Sequence, residues 1–233
     1  MKLDMLVLSA HPDDAELACS GTILRHIDMG KKVGLVDLTR GQLGTRGTPE
    51  IRDKEAEAAA EVMGLAAREN LGFEDGFFVE DKEHILEIIK VLRKYQPEII
   101  ITNALHDRHP DHGRASDLVS RACFLSGLVK IETGQKAWRP RNVYHYIQDR
   151  YIKPDVIVDV TPYWEQKINA IKAFQSQFYN PESDEPGTYI SSPEFLLFIE
   201  ARAIEFGHSI GVKYGEGFTS ERNVGITSLF DLL

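Results

Sequence analysis

Cysteine is scarce: Cys19 and Cys123 are the only two in 233 residues. They lie far apart, each inside a segment of helical spacing, which excludes a disulfide-built scaffold and favours two buried free thiols. Basic residues are also outnumbered, 27 Lys and Arg against 36 Asp and Glu, leaving a formal charge of −9. The chain therefore lacks the basic footprint of a nucleic-acid or membrane-surface protein. A local basic pocket would still admit an anionic substrate. No apolar run approaches the length that crosses a bilayer. Met1-Lys2-Leu3-Asp4 leads straight into the first strand with no secretory signal ahead of it, which predicts a cytoplasmic, reducing location. Internal repeats, linkers and low-complexity stretches are missing too, so one domain over residues 1–233 with a sizeable core is expected.

What is present is an alternation of strand-like and helix-like segments. Met5 to Ala10 reads as a strand, followed by a helix to about Met29 with Gly30 just past its end. Val33 to Thr39, Arg68 to Phe73, Ile99 to Thr102, Val143 to Ile147 and Val156 to Val160 read as further strands. Between them, Thr48-Pro49, Asp81 and Thr161-Pro162 start helices, one ends near Met63-Gly64, and another runs from about Asp111 to Ser126. Such alternation implies parallel βαβ units with right-handed crossovers, an α/β Rossmann-like three-layer sandwich with a mostly parallel sheet. A loop from Tyr179 to Ser192 is long enough to serve as a lid or binding loop, and Pro193 opens the last long helix. Val212 to Leu233 reads as a Gly-rich tail that turns apolar at its end, suited to packing on the domain or on a neighbouring subunit.

The chemistry concentrates at two strand exits. Leu6-Val7-Leu8-Ser9-Ala10 ends in His11-Pro12-Asp13-Asp14-Ala15-Glu16, and Ile99-Ile100-Ile101 is followed by His109-Pro110-Asp111-His112. A Pro followed by acidic residues is how ordinary helices begin. Two such signatures, each at a strand-to-helix junction, are more than capping requires. Ligands of open α/β sheets bind at the carboxyl ends of the strands, so the metal site is expected there. Two imidazoles and one carboxylate form a common catalytic zinc set with a coordination position left for water, and His11, Asp14 and His112 supply that count. Asp13 is then free as the general base. His109 faces the same cavity, where Asp111 would hold it protonated, to stabilise a tetrahedral intermediate or to protonate a leaving amine. His26, His84, His145 and His208 read as surface or core side chains, while His106 stays open. The Gly-rich stretch Arg40 to Thr48 matches no phosphate-binding fingerprint and reads as an active-site rim. Arg52, in the first turn of a helix, is badly placed for the dipole, so it is solvated or serves something anionic.

These motifs resemble the PIG-L/LmbE-like family of zinc-dependent N-acetylglucosamine deacetylases, and the likeness covers almost the whole chain. Thr39 to Gly47, Arg68-Glu69-Asn70-Leu71-Gly72 and Tyr214-Gly215-Glu216-Gly217-Phe218 are most similar to the branch that deacetylates N-acetylglucosaminyl malate in bacillithiol biosynthesis. The resemblance implies one Zn2+ per chain on His11, Asp14 and His112, with Asp13 as base and His109 as the charged partner oriented by Asp111. It further implies substrate-binding roles for Arg52 and Arg108, an oxyanion contact from Tyr189, and a homo-oligomer, often a hexamer. Gln42 departs from the acidic residue that the resemblance implies at its position. Two other readings are compatible with the residues: a sugar- or nucleotide-binding module without turnover, and a zinc hydrolase of another substrate, such as an ester or a chitooligosaccharide. The donor set also suits iron(II), cobalt or manganese.

Overall fold

A computed structural model describes residues 1–232. Seven strands form one sheet in the order β3-β2-β1-β4-β5-β7-β6. In chain order the elements are β1 (Met5–Ser9), α1 (Asp14–Asp28), β2 (Val33–Thr39), α2 (Pro49–Met63), β3 (Ala67–Phe73), α3 (Lys82–Tyr95), β4 (Ile99–Thr102), α4 (Pro110–Ser126), β5 (Asn142–Tyr146), β6 (Val156–Asp159), α5 (Trp164–Lys172), α6 (Pro193–Ser209) and β7 (Gly215–Ser220). The first five strands are parallel.

Alternation along the strands builds two cores. Met5 and Val7 face one side with Val33, Leu35 and Ile101, under α1, α2, α5 and α6. Leu6 and Leu8 face the other with Val36, Leu38 and Ile100, under α3 and α4. Strands buried on both faces read as continuous apolar runs, which is why β1 and β2 are so plain in the sequence. The helix starts match their caps: Thr48 Oγ1 accepts the Ile51 N–H at 3.3 Å and Asp81 Oδ1 the His84 N–H at 2.9 Å. Both cysteines are buried and unpaired.

One correction concerns the segment after Val212. It contains β7, which pairs antiparallel with β5 on one side and β6 on the other. After β1 the chain moves to β2 and β3 on one side, then returns to place β4 on the other. The loops leaving β1 and β4 therefore diverge, and a crevice opens between them at the carboxyl ends of the strands.

Candidate active site

At the exit of β1 the backbone turns sharply. Asp13 has φ 101°, a left-handed conformation that costs a non-glycine residue on the order of 1–3 kcal/mol and survives only where its surroundings enforce it. Asp13 and Asp14 line a cleft of about 280 Å³ together with His11, His109 and His112.

Asp14 is its hub. Its Oδ2 lies 3.4 Å from His11 Nδ1 and accepts the His11 N–H at 3.0 Å and Asn103 Nδ2 at 3.1 Å. Its Oδ1 lies 3.1 Å from His112 Nε2 and accepts Gln148 Nε2 at 2.7 Å. The far nitrogens are anchored as well, His112 Nδ1 by Asp107 at 2.7 Å and His11 Nε2 by Asp75 at 3.0 Å and Asp111 at 3.2 Å. Carboxylates on the far nitrogens are what orients metal-ligating imidazoles. The donor chemistry of His11, Asp14 and His112 thus fits a divalent cation. Among the described residues, the sets whose ligand atoms all lie within 4.8 Å of one another are His11, His109 and His112, and His11, Asp75 and Asp111; Asp14 belongs to neither.

The electrostatics favour positive charge at this point. Burial opposes a charged His11, but hydrogen bonds to Asp111, Asp14 and Asp75 outweigh it and raise its pKa well above the usual value. His112 is pushed up to about 9, burial being overcome by the Asp14 charge and the Asp107 bond. Asp14, despite burial, is held well below the carboxylate range by the His112 charge and the His11 bond. Asp13 goes the other way: burial pushes it up to about 7, and the Arg52 charge offsets only part of that. A carboxyl poised there can take and return a proton near neutral pH.

His109 is brought to the site, edge-on to His11 at 4.6 Å and stacked on His112 at 5.2 Å between ring centres. Its expected side-chain pair with Asp111 does not form. Asp111 gives Oδ2 to His11 and the Gly76 N–H, and Oδ1 to Arg114 at 2.6 Å. The His109 ring instead caps α4, Nδ1 accepting the Asp111 backbone N–H at 3.3 Å. Burial, then the charges of His11 and His112, lower its pKa.

Arg52 also reaches the cleft, but it is buried and committed. It donates to the Pro12 carbonyl, to Asp13 Oδ2 at 3.1 Å and to the Gly41 carbonyl at 3.5 Å. Gly41 has φ 65°, where glycine is favoured, and a Cβ there would meet the Arg52 guanidinium, so the rim loop passes close over it. Arg108 is freer, with its guanidinium carbon 4.5 Å from the Tyr189 ring and Nε 3.5 Å from Asp149. Gln42 is outside the cleft lining: it accepts the Arg40 N–H and donates to the Phe73 carbonyl, fastening the rim loop to β3. His106 is exposed and away from the cleft lining. Sequence reasoning missed Asp75, Asn103, Asp107 and Gln148; each directly follows a strand or lies in its exit loop, the one signal that marks them.

The family model for GlcNAc-PI de-N-acetylase, PIG-L, matches residues 6–123. The diacetylchitobiose deacetylase of Thermococcus kodakarensis is 27% identical over 231 residues, 91% of this chain and 81% of that protein. The 4-oxalmesaconate hydratase of Pseudomonas putida is 28% identical over 246 residues, 97% of this chain and 88% of that one. The probable N-acetyl-alpha-D-glucosaminyl L-malate deacetylase 2 of Bacillus cereus is 32% identical over 196 residues, 76% and 84%. Among solved structures, the conserved protein TT1542 of Thermus thermophilus superposes with a TM-score of 0.89 at 34% identity, covering 97% of this chain and 98% of that one. With half the chain inside the family model and close structural agreement over nearly all of it, this protein belongs to the PIG-L family.

Proposed function

We propose that residues 1–233 act as one α/β domain that hydrolyses the N-acetyl group of an N-acetylglucosamine conjugate, with zinc as the resident ion. The observation that carries this reading is a single juxtaposition. His11, Asp14 and His112, the proposed cation ligands, line one cleft with a carboxyl, Asp13, pushed up to about 7. Zinc held by those three side chains would supply Lewis acidity toward a water and the acetyl carbonyl. Asp13 takes the proton of the attacking water and is set to return it to the departing amine. His109 stabilises the charge that grows on the carbonyl oxygen, and Tyr189, which lines the same cleft, adds a phenol donor. Arg52 keeps Asp13 in place through its 3.1 Å contact.

For the substrate, N-acetylglucosaminyl malate is the proposed conjugate, which would put the protein in bacillithiol biosynthesis. Arg108 supports this assignment: it lines the cleft and is the guanidinium there with room for a carboxylate fork. The similarity to a malate-conjugate deacetylase points the same way. A cytoplasmic location and a homo-oligomer, up to a hexamer, belong to the same proposal; Leu229 and Phe230, 81% and 97% exposed, suit cover by a second copy.

The test compares kcat/KM on N-acetylglucosaminyl malate, diacetylchitobiose and free N-acetylglucosamine. The malate conjugate should be turned over best. Arg108→Ala should cut that preference roughly 10- to 100-fold, the worth of one charged hydrogen bond, while Arg52→Ala should lower all three alike. A preference for diacetylchitobiose would keep the deacetylase and remove malate.

A further inference from the structure

The stretch Tyr214-Gly215-Glu216-Gly217-Phe218 takes no part in the cleft chemistry, yet its Glu216 is buried beside the equally buried Lys167 of α5, 2.8 Å away. Lys167 Nζ donates to Glu216 Oε1 and to the carbonyls of Glu16 at 3.1 Å and Leu17 at 2.8 Å. Glu216 Oε1 also accepts the Gly21 N–H at 3.0 Å, and Oε2 accepts the Thr22 N–H at 2.7 Å and the Thr22 hydroxyl at 2.6 Å. An ammonium has three protons and a carboxylate about four acceptor sites, so both groups are saturated, the condition a buried ion pair must meet to be tolerated.

Every partner outside the pair lies on α1. In a regular helix the Gly21 N–H serves the Leu17 carbonyl; within the unbroken α1, Lys167 Nζ also reaches that carbonyl and Glu216 Oε1 also reaches that N–H. A Cβ on Gly21 would lie 2.7 Å from Val160 Cβ and 3.0 Å from Glu216 Oε1, so the helix is drawn tightly against the pair. From there the site is one hydrogen bond away: the Leu17 N–H donates to the carbonyl of Asp13 at 3.0 Å, and Asp13 is the residue held in the left-handed conformation.

We propose that Lys167 and Glu216 are positioning residues, clamping the first turn of α1 so that Asp13 and Asp14 keep their aim into the cleft. The inference rests on the roles assigned to those two carboxylates. It is tested on full-length, zinc-loaded protein by the double variant Lys167→Met/Glu216→Met. That change strands neither charge. Zinc affinity by chelator competition, melting temperature, kcat and KM are measured together. The double variant should melt within a few degrees of wild type, bind zinc about 10- to 100-fold more weakly, the usual effect of losing an orienting contact, and lose kcat with KM little changed. Glu216→Gln should move zinc affinity and kcat in the same direction by less, and it decides the matter if the double variant fails to fold. Wild-type zinc affinity and kcat in the variants, or a lowered melting temperature alone, would overturn the proposal. Should wild type release no acetate from any N-acetyl sugar, the deacetylase reading fails and zinc affinity alone decides the role of the pair.

Discussion

Asp13 and Asp14 are adjacent, equally buried, and opposite in proton affinity. The difference is made by partners: Asp14 faces two imidazoles and two amide donors, whereas Asp13 has one guanidinium against its burial. Asp13→Asn should therefore keep the metal and lose rate by roughly 10²–10⁴-fold. Asp14→Asn, His11→Ala and His112→Ala should lose metal by elemental analysis. The reverse pattern for the two aspartates would mean that their roles are exchanged. At this scale the sequence is partly readable. The spacing of His11, Asp13, Asp14 and His112 announces a site because donor types recur at strand exits. Asp75 and Gln148 give no comparable signal, since their contacts exist only after β3 is set beside β2 and β5 beside β4. The partner of Asp111 differs from the expected one for a related reason: the His109 ring takes the Asp111 backbone N–H while the carboxylate meets His11, which adjacency in sequence does not reveal.

The elements are held under the site by a second set of buried charges. Arg68 of β3 donates to Glu16 at 2.6 Å and to Asp37 of β2 at 3.0 and 3.3 Å. Arg68→Met would leave both carboxylates buried without their cation and should cost about 3–5 kcal/mol in urea unfolding. Asp37 is itself pushed up to about 6, burial outweighing the Arg68 charge. A carboxyl raised in the folded state favours folding while protonated, so its contribution is full below about pH 4 and lost as pH rises to about 6. Asp37→Asn should accordingly gain on wild type by about 3 kcal/mol between pH 4 and pH 7; a difference that ignores pH would refute the assignment. Legibility at this scale tracks side-chain type. β1, β2 and β4 are runs of branched apolar residues, and α2 and α3 carry their caps. β7 is hidden because α6 packs so closely on it that Cβ atoms at Gly215 and Gly217 would meet Gly207 and Phe206 at 2.9 and 2.8 Å. Glycines demanded by close packing look like loop in a sequence.

On the scale of the molecule, the sheet order puts β1 between β2 and β4, and the reversal of the chain there makes the crevice that the cleft occupies. The parallel half can be read from alternation alone, but the antiparallel end cannot, because no local pattern encodes the direction of β7. No helix among the described residues is long and apolar enough to cross a membrane. The cleft itself gathers carboxylates in a chain already at −9, so cation binding should stabilise the fold: added zinc should raise the melting temperature, and no shift would argue against a site. The central claim is hydrolysis of an acetamide, and a relative of similar identity is named as a hydratase, so the decisive measurement counts products. Acetate and free amine are quantified together from an N-acetylglucosamine conjugate, with the protein zinc-loaded, chelated and reloaded, and with zinc-loaded Asp13→Asn alongside. Equimolar acetate and amine that vanish on chelation, return with zinc and stay low in Asp13→Asn are the predicted result. Zinc bound at full occupancy with no acetate released from any N-acetyl sugar would contradict it.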